Sequence, residues 1–229
     1  IDKRKSLGGT CLNVGCIPSK RLLHSSELYK EILYESINHG IEVNRPEFNL
    51  GKMMIGKNDA IKKLTNGIEY LFKKNNIQHI VGMASIEDDK TIIVKNNKYT
   101  SENIIIATGS NPIELDKIKF YKDLIVSSTG ALNFKEIPEK LAVIGAGYIG
   151  LELGSVWGRL GSEVTVIEYD SVIVPSMDSE IANSFYKELM NQGLNFKLSS
   201  EVIEAKIKED KAHLITKSII DNSESNMVF

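Results

Sequence analysis

Residues 141–168 constrain this chain more than any other stretch. Leu141-Ala142-Val143-Ile144 reads as a buried strand, Gly145-Ala146-Gly147-Tyr148-Ile149-Gly150 as a glycine turn, and Tyr148 to about Leu160 as a helix. Glu163 to Ile167 reads as a second strand, ended by Glu168. The glycine string alone is weak evidence; strand, turn, helix, strand and terminal acid together specify a βαβ dinucleotide-binding unit. Gly145 allows the tight turn, Gly147 lets a pyrophosphate approach the backbone, and Gly150 permits close packing of helix on strand. Tyr148 and Ile149 open a helix whose unpaired N–H groups and positive dipole end suit phosphates. Glu168 lies 18 positions beyond Gly150, near the usual place of the acid that bonds ribose hydroxyls. A carboxylate there repels the extra phosphate of NADP, so NAD is the expected cofactor. A βαβ unit with no ligand is the bland alternative.

The flanks extend the same reading. Leu22, Leu23, Leu28, Tyr29, Ile32, Leu33 and Ile37 recur at helical spacing, with Gly40 as a stop. After a loop from Arg45 to Leu50, a helix is expected to Asn75, with Met53, Met54, Ala60, Ile61, Leu64, Ile68, Leu71 and Phe72 buried. The methionines read as core filler. Strands are expected at Ile77–Ile86, Thr91–Lys95 and Lys98–Thr100, and a doubly buried parallel strand at Asn103–Ser110. Lys117 to Glu139 reads as a return connection, and Trp157 as core. Beyond Glu168, Pro175 to Asp178 leads into a helix to about Gln192, with Gly193 as its stop. Asn195–Leu198 reads as a third strand, and Val202–Ile207 with Ala212–Lys217 as an antiparallel pair; Ser218 to Phe229 carries no signal.

The only two cysteines, Cys11 and Cys16, are five positions apart in Gly8-Gly9-Thr10-Cys11-Leu12-Asn13-Val14-Gly15-Cys16-Ile17-Pro18-Ser19-Lys20. In a helix they would lie within about one and a half turns, close enough to bridge. So short a loop yields only about 2 kcal/mol of stabilisation, too little to explain a staple in a chain this long. The glycines let the backbone approach a ligand, and a helix start nearby favours a thiolate. A reversible dithiol/disulfide couple is the economical reading; two small buried hydrophobes are the alternative. Zinc is disfavoured, since two cysteines without a nearby histidine supply too few ligands, and no metal is expected.

Lys+Arg 28 against Asp+Glu 30 gives a net charge of −2, with no basic excess to suggest nucleic acid. No apolar run approaches the roughly 20 residues that span a bilayer, so no membrane partner is expected. The opening Ile1-Asp2-Lys3-Arg4 does not read as a signal peptide. Two cysteines in so long a chain point to the interior of a cell or organelle.

The string from Gly8 to Lys20 resembles the redox-disulfide signature of the flavin-dependent pyridine nucleotide-disulfide oxidoreductases. Within that family it is most similar to the dihydrolipoamide dehydrogenases. Ala107-Thr108-Gly109-Ser110, Ser127 to Leu132 and Gly147 to Glu152 match as well. The resemblance covers essentially the whole chain and about the middle half of a family member. It implies an α/β fold of two Rossmann-like domains, for FAD and NAD, both incomplete at the chain ends. Residues 1–137 would be the FAD-binding domain without its N-terminal strand and glycine turn. Residues 138–229 would be the NAD-binding domain without its last strand.

The resemblance also implies roles. Asp2 holds the position of the acid that binds the FAD ribose, where the family usually has Glu. Gly9, Thr10, Lys20, Ala84, Thr108, Gly109 and Ser110 fall at FAD, and Val202 reaches NAD through its backbone. Lys20 would pair with Glu152 between nicotinamide and flavin. Cys11 would exchange with substrate, and Cys16 would lie against the flavin as the charge-transfer thiolate. The implied reaction oxidises dihydrolipoamide, carried on a lipoyl domain of a 2-oxo acid dehydrogenase complex, through the disulfide and FAD to NAD⁺. The intact protein would be a homodimer of the cytoplasm or mitochondrial matrix. The family's base is a histidine in a His-x-x-x-x-Glu arrangement contributed by the partner subunit. Here His24, His39, His79 and His213 are followed five positions later by Tyr29, Asn44, Ala84 and Ser218. These residues alone are therefore expected to be inactive. A glutathione or mercuric reductase of the same fold is the alternative, disfavoured by the NADPH preference of those enzymes. A non-catalytic, truncated component of a dehydrogenase complex is another.

Overall fold

A hydrophobic run becomes a strand only where another strand meets its backbone, and the first part of the chain shows this. The computed structural model describes residues 1–44 and 46–229 and separates them into two units. The first comprises Ile1–Pro18 and Asn58–Asn111, the second Ser19–Lys57 and Pro112–Phe229.

In the first unit, α1 (Gly9–Val14) carries Cys11 and ends at Gly15. Cys16 then opens α2 (Cys16–Tyr34), so the two cysteines lie on separate helices rather than one. The long helix α3 (Leu50–Lys74) contributes its later turns to this unit. An antiparallel sheet follows, of β1 (Ala84–Ile86), β2 (Thr91–Val94) and β3 (Asn97–Thr100) in that order. The strand expected from Ile77 is thus confined to its last three residues. Upstream, the backbone makes only a single parallel bridge, Asp2 to Val81. Asp2 N–H donates to the Ile80 carbonyl at 3.1 Å and Gly82 N–H to the Asp2 carbonyl at 2.9 Å. The expected parallel strand at 103–110 is also absent. No described strand pairs with it, and Ile105 and Ile106 stand 89% and 70% exposed.

In the second unit, α2 runs to Tyr34 and a 3-10 turn follows at Ser36–His39. Gly40 closes that turn, with φ 73°, rather than the helix itself. The loop expected from Arg45 begins outside the described residues; 46–49 are irregular and α3 starts at Leu50. On α3, Met53 is buried, whereas Leu64 and Leu71 are exposed. Lys57 is buried instead, donating to the Leu132 carbonyl at 2.6 Å and to Asn133 Oδ1 at 2.7 Å. Burial holds its ammonium below the usual lysine range. The carbonyl it reaches belongs to the cap of α4 (Ser128–Ala131), inside the expected return connection.

The βαβ unit has the expected bounds within a residue: β4 (Lys140–Ile144), α5 (Tyr148–Arg159) and β5 (Glu163–Ile167). Asp178 caps α6 (Ser179–Asn191), accepting from Glu180 N–H at 3.0 Å and Ile181 N–H at 3.3 Å. Such a cap stabilises by about 1 kcal/mol. Then β6 (Asn195–Lys197) completes a parallel sheet of order β4-β5-β6. The two helices that link its strands, α5 and α6, are amphipathic, which is what a parallel sheet needs on its faces. Val164, Val166, Leu151, Ala182, Leu189 and Leu194 pack there as one core. Trp157, wholly buried, centres a second core with Leu22, Met53, Leu132 and Val156. The chain ends in an antiparallel meander of β7 (Ser200–Lys208), β8 (Lys211–Ser218) and β9 (Glu224–Val228). β9 falls where the sequence carried no signal. Its residues alternate Glu224-Ser225-Asn226-Met227-Val228, mostly polar, and its pairing with β8 makes it a strand.

Candidate active site

The glycine turn is built as a cradle. Gly145 N–H donates to the Ile167 carbonyl at 2.8 Å, and Val174 N–H to the Ala146 carbonyl at 3.0 Å, so the turn is pinned from both sides. A Cβ on Gly150 would lie 2.5 Å from the Gly145 carbonyl oxygen and 2.9 Å from Val143 Cγ1. Only glycine admits that approach of helix to strand. Gly145 and Gly147 face open space instead, with nothing within 4 Å of an added Cβ. Gly147 caps α5 without any side-chain hydrogen bond, leaving the first N–H groups of a twelve-residue helix to a ligand. Tyr148 and Ile149 are exposed beside them. These features fit the pyrophosphate of a dinucleotide.

Glu168 ends β5 as the spacing requires. Its Oε2 accepts from Ala146 N–H at 2.5 Å and its Oε1 from Asp170 N–H at 2.9 Å. The acid and the glycine turn therefore meet directly, an arrangement in which Ala146 takes a part that sequence reasoning did not give it. Val202 lies on β7 opposite Thr216, beside an irregularity of register between Val202 and Glu204.

Lys20 and Glu152 come together in the second unit. Lys20, the fifth residue of α2, places Nζ 2.5 Å from Glu152 Oε1; Glu152 comes from the second turn of α5. Ser19 donates its hydroxyl to Glu152 Oε2 at 3.0 Å, so both carboxylate oxygens are engaged. Ser19, which the fold buries, was missed by the sequence reading; its place beside Lys20 was the only available signal. The ammonium is well exposed and the carboxylate about one quarter exposed, so the pair is worth little as a stabiliser.

The thiols of Cys11 and Cys16 are both exposed and unbridged in this structure. Gly15 between them lets the chain fold back closely: a Cβ there would lie 3.0 Å from the Thr10 carbonyl oxygen and 3.1 Å from Cys11 Cα. Gly9 and Thr10 are exposed at the start of α1. Asp2 sits in its single bridge, with Oδ1 accepting from Arg4 N–H at 2.8 Å. Ala84 lies exposed on β1, and Thr108, Gly109 and Ser110 are exposed in an irregular segment. For a flavin these residues offer open backbone and small side chains but only part of a cradle. No group of three or more metal-ligating side chains occurs among the described residues. No described helix is long and apolar enough to cross a membrane.

A family model for pyridine nucleotide-disulphide oxidoreductases matches residues 2–226. The chain belongs to that family. Its members contain FAD and depend on NAD(P). The chain is 52% identical over 208 residues to the mitochondrial dihydrolipoyl dehydrogenase of Pisum sativum, covering 89% of this chain and 42% of that protein. It is 51% identical over 208 residues to the leghemoglobin reductase of Vigna unguiculata, covering 89% and 40%. Among solved structures it resembles the Cu(II) complex of the HOCl-induced flavoprotein disulfide reductase RclA from Escherichia coli. That match has a TM-score of 0.79 at 27% identity and covers 98% of this chain and 48% of the other. The chain thus spans less than half the length of these relatives.

Proposed function

We propose that this chain is the middle part of an NAD-linked dihydrolipoyl dehydrogenase, in which Cys11 and Cys16 form the redox disulfide. The observation that carries the reading is the pair of exposed thiols on adjoining helices, folded together at Gly15. Identity of 49–52% to dihydrolipoyl dehydrogenases supports the choice of substrate.

A thiolate of dihydrolipoamide attacks Cys11 Sγ in the oxidised pair; the S–S bond breaks and Cys16 leaves as a thiolate. The second substrate thiol, once deprotonated, attacks the substrate sulfur of the mixed disulfide. The cyclic disulfide of lipoamide forms and Cys11 is released as a thiolate. Two electrons have then moved from substrate to the cysteine pair. FAD, when bound, supplies the acceptor for that electron pair, and NAD⁺ supplies the hydride acceptor. Lys20 keeps a positive charge beside Glu152, whose position Ser19 and Lys20 hold from both sides. Asp2, Gly9, Thr10, Ala84 and Thr108 to Ser110 would contact FAD. The turn from Gly145 to Gly150, with Glu168 and Val202, would hold NAD. On this reading 1–137 serve FAD and 138–229 serve NAD. The partner is a lipoyl domain of a 2-oxo acid dehydrogenase complex, the intact protein is a homodimer, and the mitochondrial matrix is its site.

The test uses the intact protein that carries this chain. NAD⁺ reduction by dihydrolipoamide should be abolished by Cys11→Ser and by Cys16→Ser. Faster NADPH-driven reduction of glutathione disulfide than dihydrolipoamide oxidation would sink the reading.

A further inference from the structure

The six-residue helix that presents Cys11 is too short to be held by its backbone hydrogen bonds alone. Isolated helices shorter than about 12 residues are marginal in water. Gly8, at the N-cap of α1, provides no side-chain cap. What fastens the helix is Asn13, which lies between the two cysteines. Its Nδ2 donates to the Leu7 carbonyl at 3.0 Å and to the Gly9 carbonyl at 2.9 Å, and its Oδ1 accepts from the Ser6 hydroxyl at 2.7 Å. The amide thus ties Ser6 and Leu7 of the entering loop back onto the helix and bonds Gly9 in its first turn. Leu7 is buried, so the loop is itself anchored. Downstream, Gly15 returns the chain against Thr10 and Cys11 Cα before Cys16. The path from Cys11 to Cys16 is therefore set by a close approach on one side and by the Asn13 amide on the other.

We propose that Asn13 is a positioning residue for the redox pair: its amide holds α1 so that Cys11 and Cys16 are pre-ordered for disulfide closure. It touches no reacting atom. The inference rests on the reading of Cys11 and Cys16 as a redox couple and adds what sets its equilibrium. Fixing the loop in the dithiol state removes part of the ordering cost of closing the S–S bond, so the disulfide is favoured.

The test is the thiol–disulfide equilibrium of the Cys11–Cys16 pair against glutathione, measured in the intact protein that carries this chain. Cys11 and Cys16 give two electrons and two protons to glutathione disulfide; their S–S bond forms, that of glutathione disulfide breaks, and two glutathione thiols result. The bridged fraction is read by alkylation and mass spectrometry, with folding checked by circular dichroism. One net hydrogen bond is worth a factor of about 2 to 12 in an equilibrium constant. Asn13→Ala and Asn13→Asp should each lower the equilibrium towards disulfide by about five- to tenfold. Asp keeps the size and the bond from Ser6 but turns an oxygen on the Leu7 and Gly9 carbonyls. Ser6→Ala should lower it by about twofold, and Thr65→Val, on α3, should leave it unchanged. A folded Asn13→Asp chain within twofold of the parent overturns the proposal while leaving the redox couple intact. A parent chain that forms no Cys11–Cys16 bridge at any glutathione ratio overturns both.

Discussion

Gly150→Ala isolates the contact on which the nucleotide cradle depends. The new Cβ would sit 2.5 Å from the Gly145 carbonyl oxygen and 2.9 Å from Val143 Cγ1. Neither can yield easily. Gly145 is held through its N–H to the Ile167 carbonyl, and valine is stiff at χ1. Either α5 shifts away from β4 or the turn gives up its tie to β5. Overpacking costs about 1–3 kcal/mol, and two contacts this short against held atoms belong in its upper half, about 2–3 kcal/mol. Replacing glycine by alanine inside a helix gains up to about 1 kcal/mol, so the net loss should be about 1–2 kcal/mol. At an m-value of about 2 kcal/mol/M the urea midpoint should fall by about 0.5–1 M. Trp157, the single tryptophan, is buried on the same helix and reports the transition by fluorescence. Gly154→Ala is the matched control: its Cβ would meet Val164, Val143 and Leu194 at 3.4–3.7 Å, ordinary contact distances. That variant should be neutral or more stable by up to about 1 kcal/mol. If Gly150→Ala is as stable as the parent, or if both variants lose stability equally, the steric account of the turn is wrong.

Further outcomes follow from other contacts. Glu168→Ala should narrow the preference for NADH over NADPH, measured by calorimetric titration; equal affinities in the parent would refute the role given to that acid. Lys57→Met should destabilise the second unit by about 1–3 kcal/mol, because the Leu132 carbonyl and Asn133 Oδ1 lose their donor; an unchanged denaturation midpoint would contradict this. The Ser223 hydroxyl, donating to Asp221 at 2.7 Å, with the Ser218 hydroxyl and then the Ser223 N–H at 3.0 Å, lowers the Asp221 pKa to about 2. Its contribution to stability is present above the ordinary carboxylate pKa and is lost as pH falls from about 4 through about 2. Carbon-13 titration should place its midpoint near 2, and Asp221→Asn should remove that part of the acid dependence; a midpoint near 4 would contradict the bonding.

The sequence carried the βαβ unit almost residue by residue, because each of its parts is locally specified. Glycine sterics fix the turn, the apolar run from Leu151 to Trp157 buries α5, and Glu168 falls where β5 must end. It carried Trp157 as core for the same reason. The strand at 103–110 was misread because apolar content cannot supply a partner: strand pairing is non-local, and Ile105 and Ile106 meet none here. β9 was invisible for the converse reason, a polar segment recruited by β8. On α3, periodicity placed Leu64 and Leu71 inside, whereas the contacts bury Lys57 and Thr65. At the site, the sequence named Lys20 and Glu152 through resemblance. Ser19 and Asn13 escaped, since their roles lie in hydrogen bonds to atoms that only the folded chain brings near.

The central claim is that Cys11 and Cys16 exchange with a dithiol, and it can be measured without NAD⁺. The intact protein that carries this chain is oxidised, freed of oxidant and mixed with one equivalent of dihydrolipoamide under argon. The account predicts one lipoamide formed per chain, with both cysteines becoming available to alkylation together. A chain that forms no Cys11–Cys16 bridge on oxidation, or a bridged chain that yields no lipoamide, would contradict it.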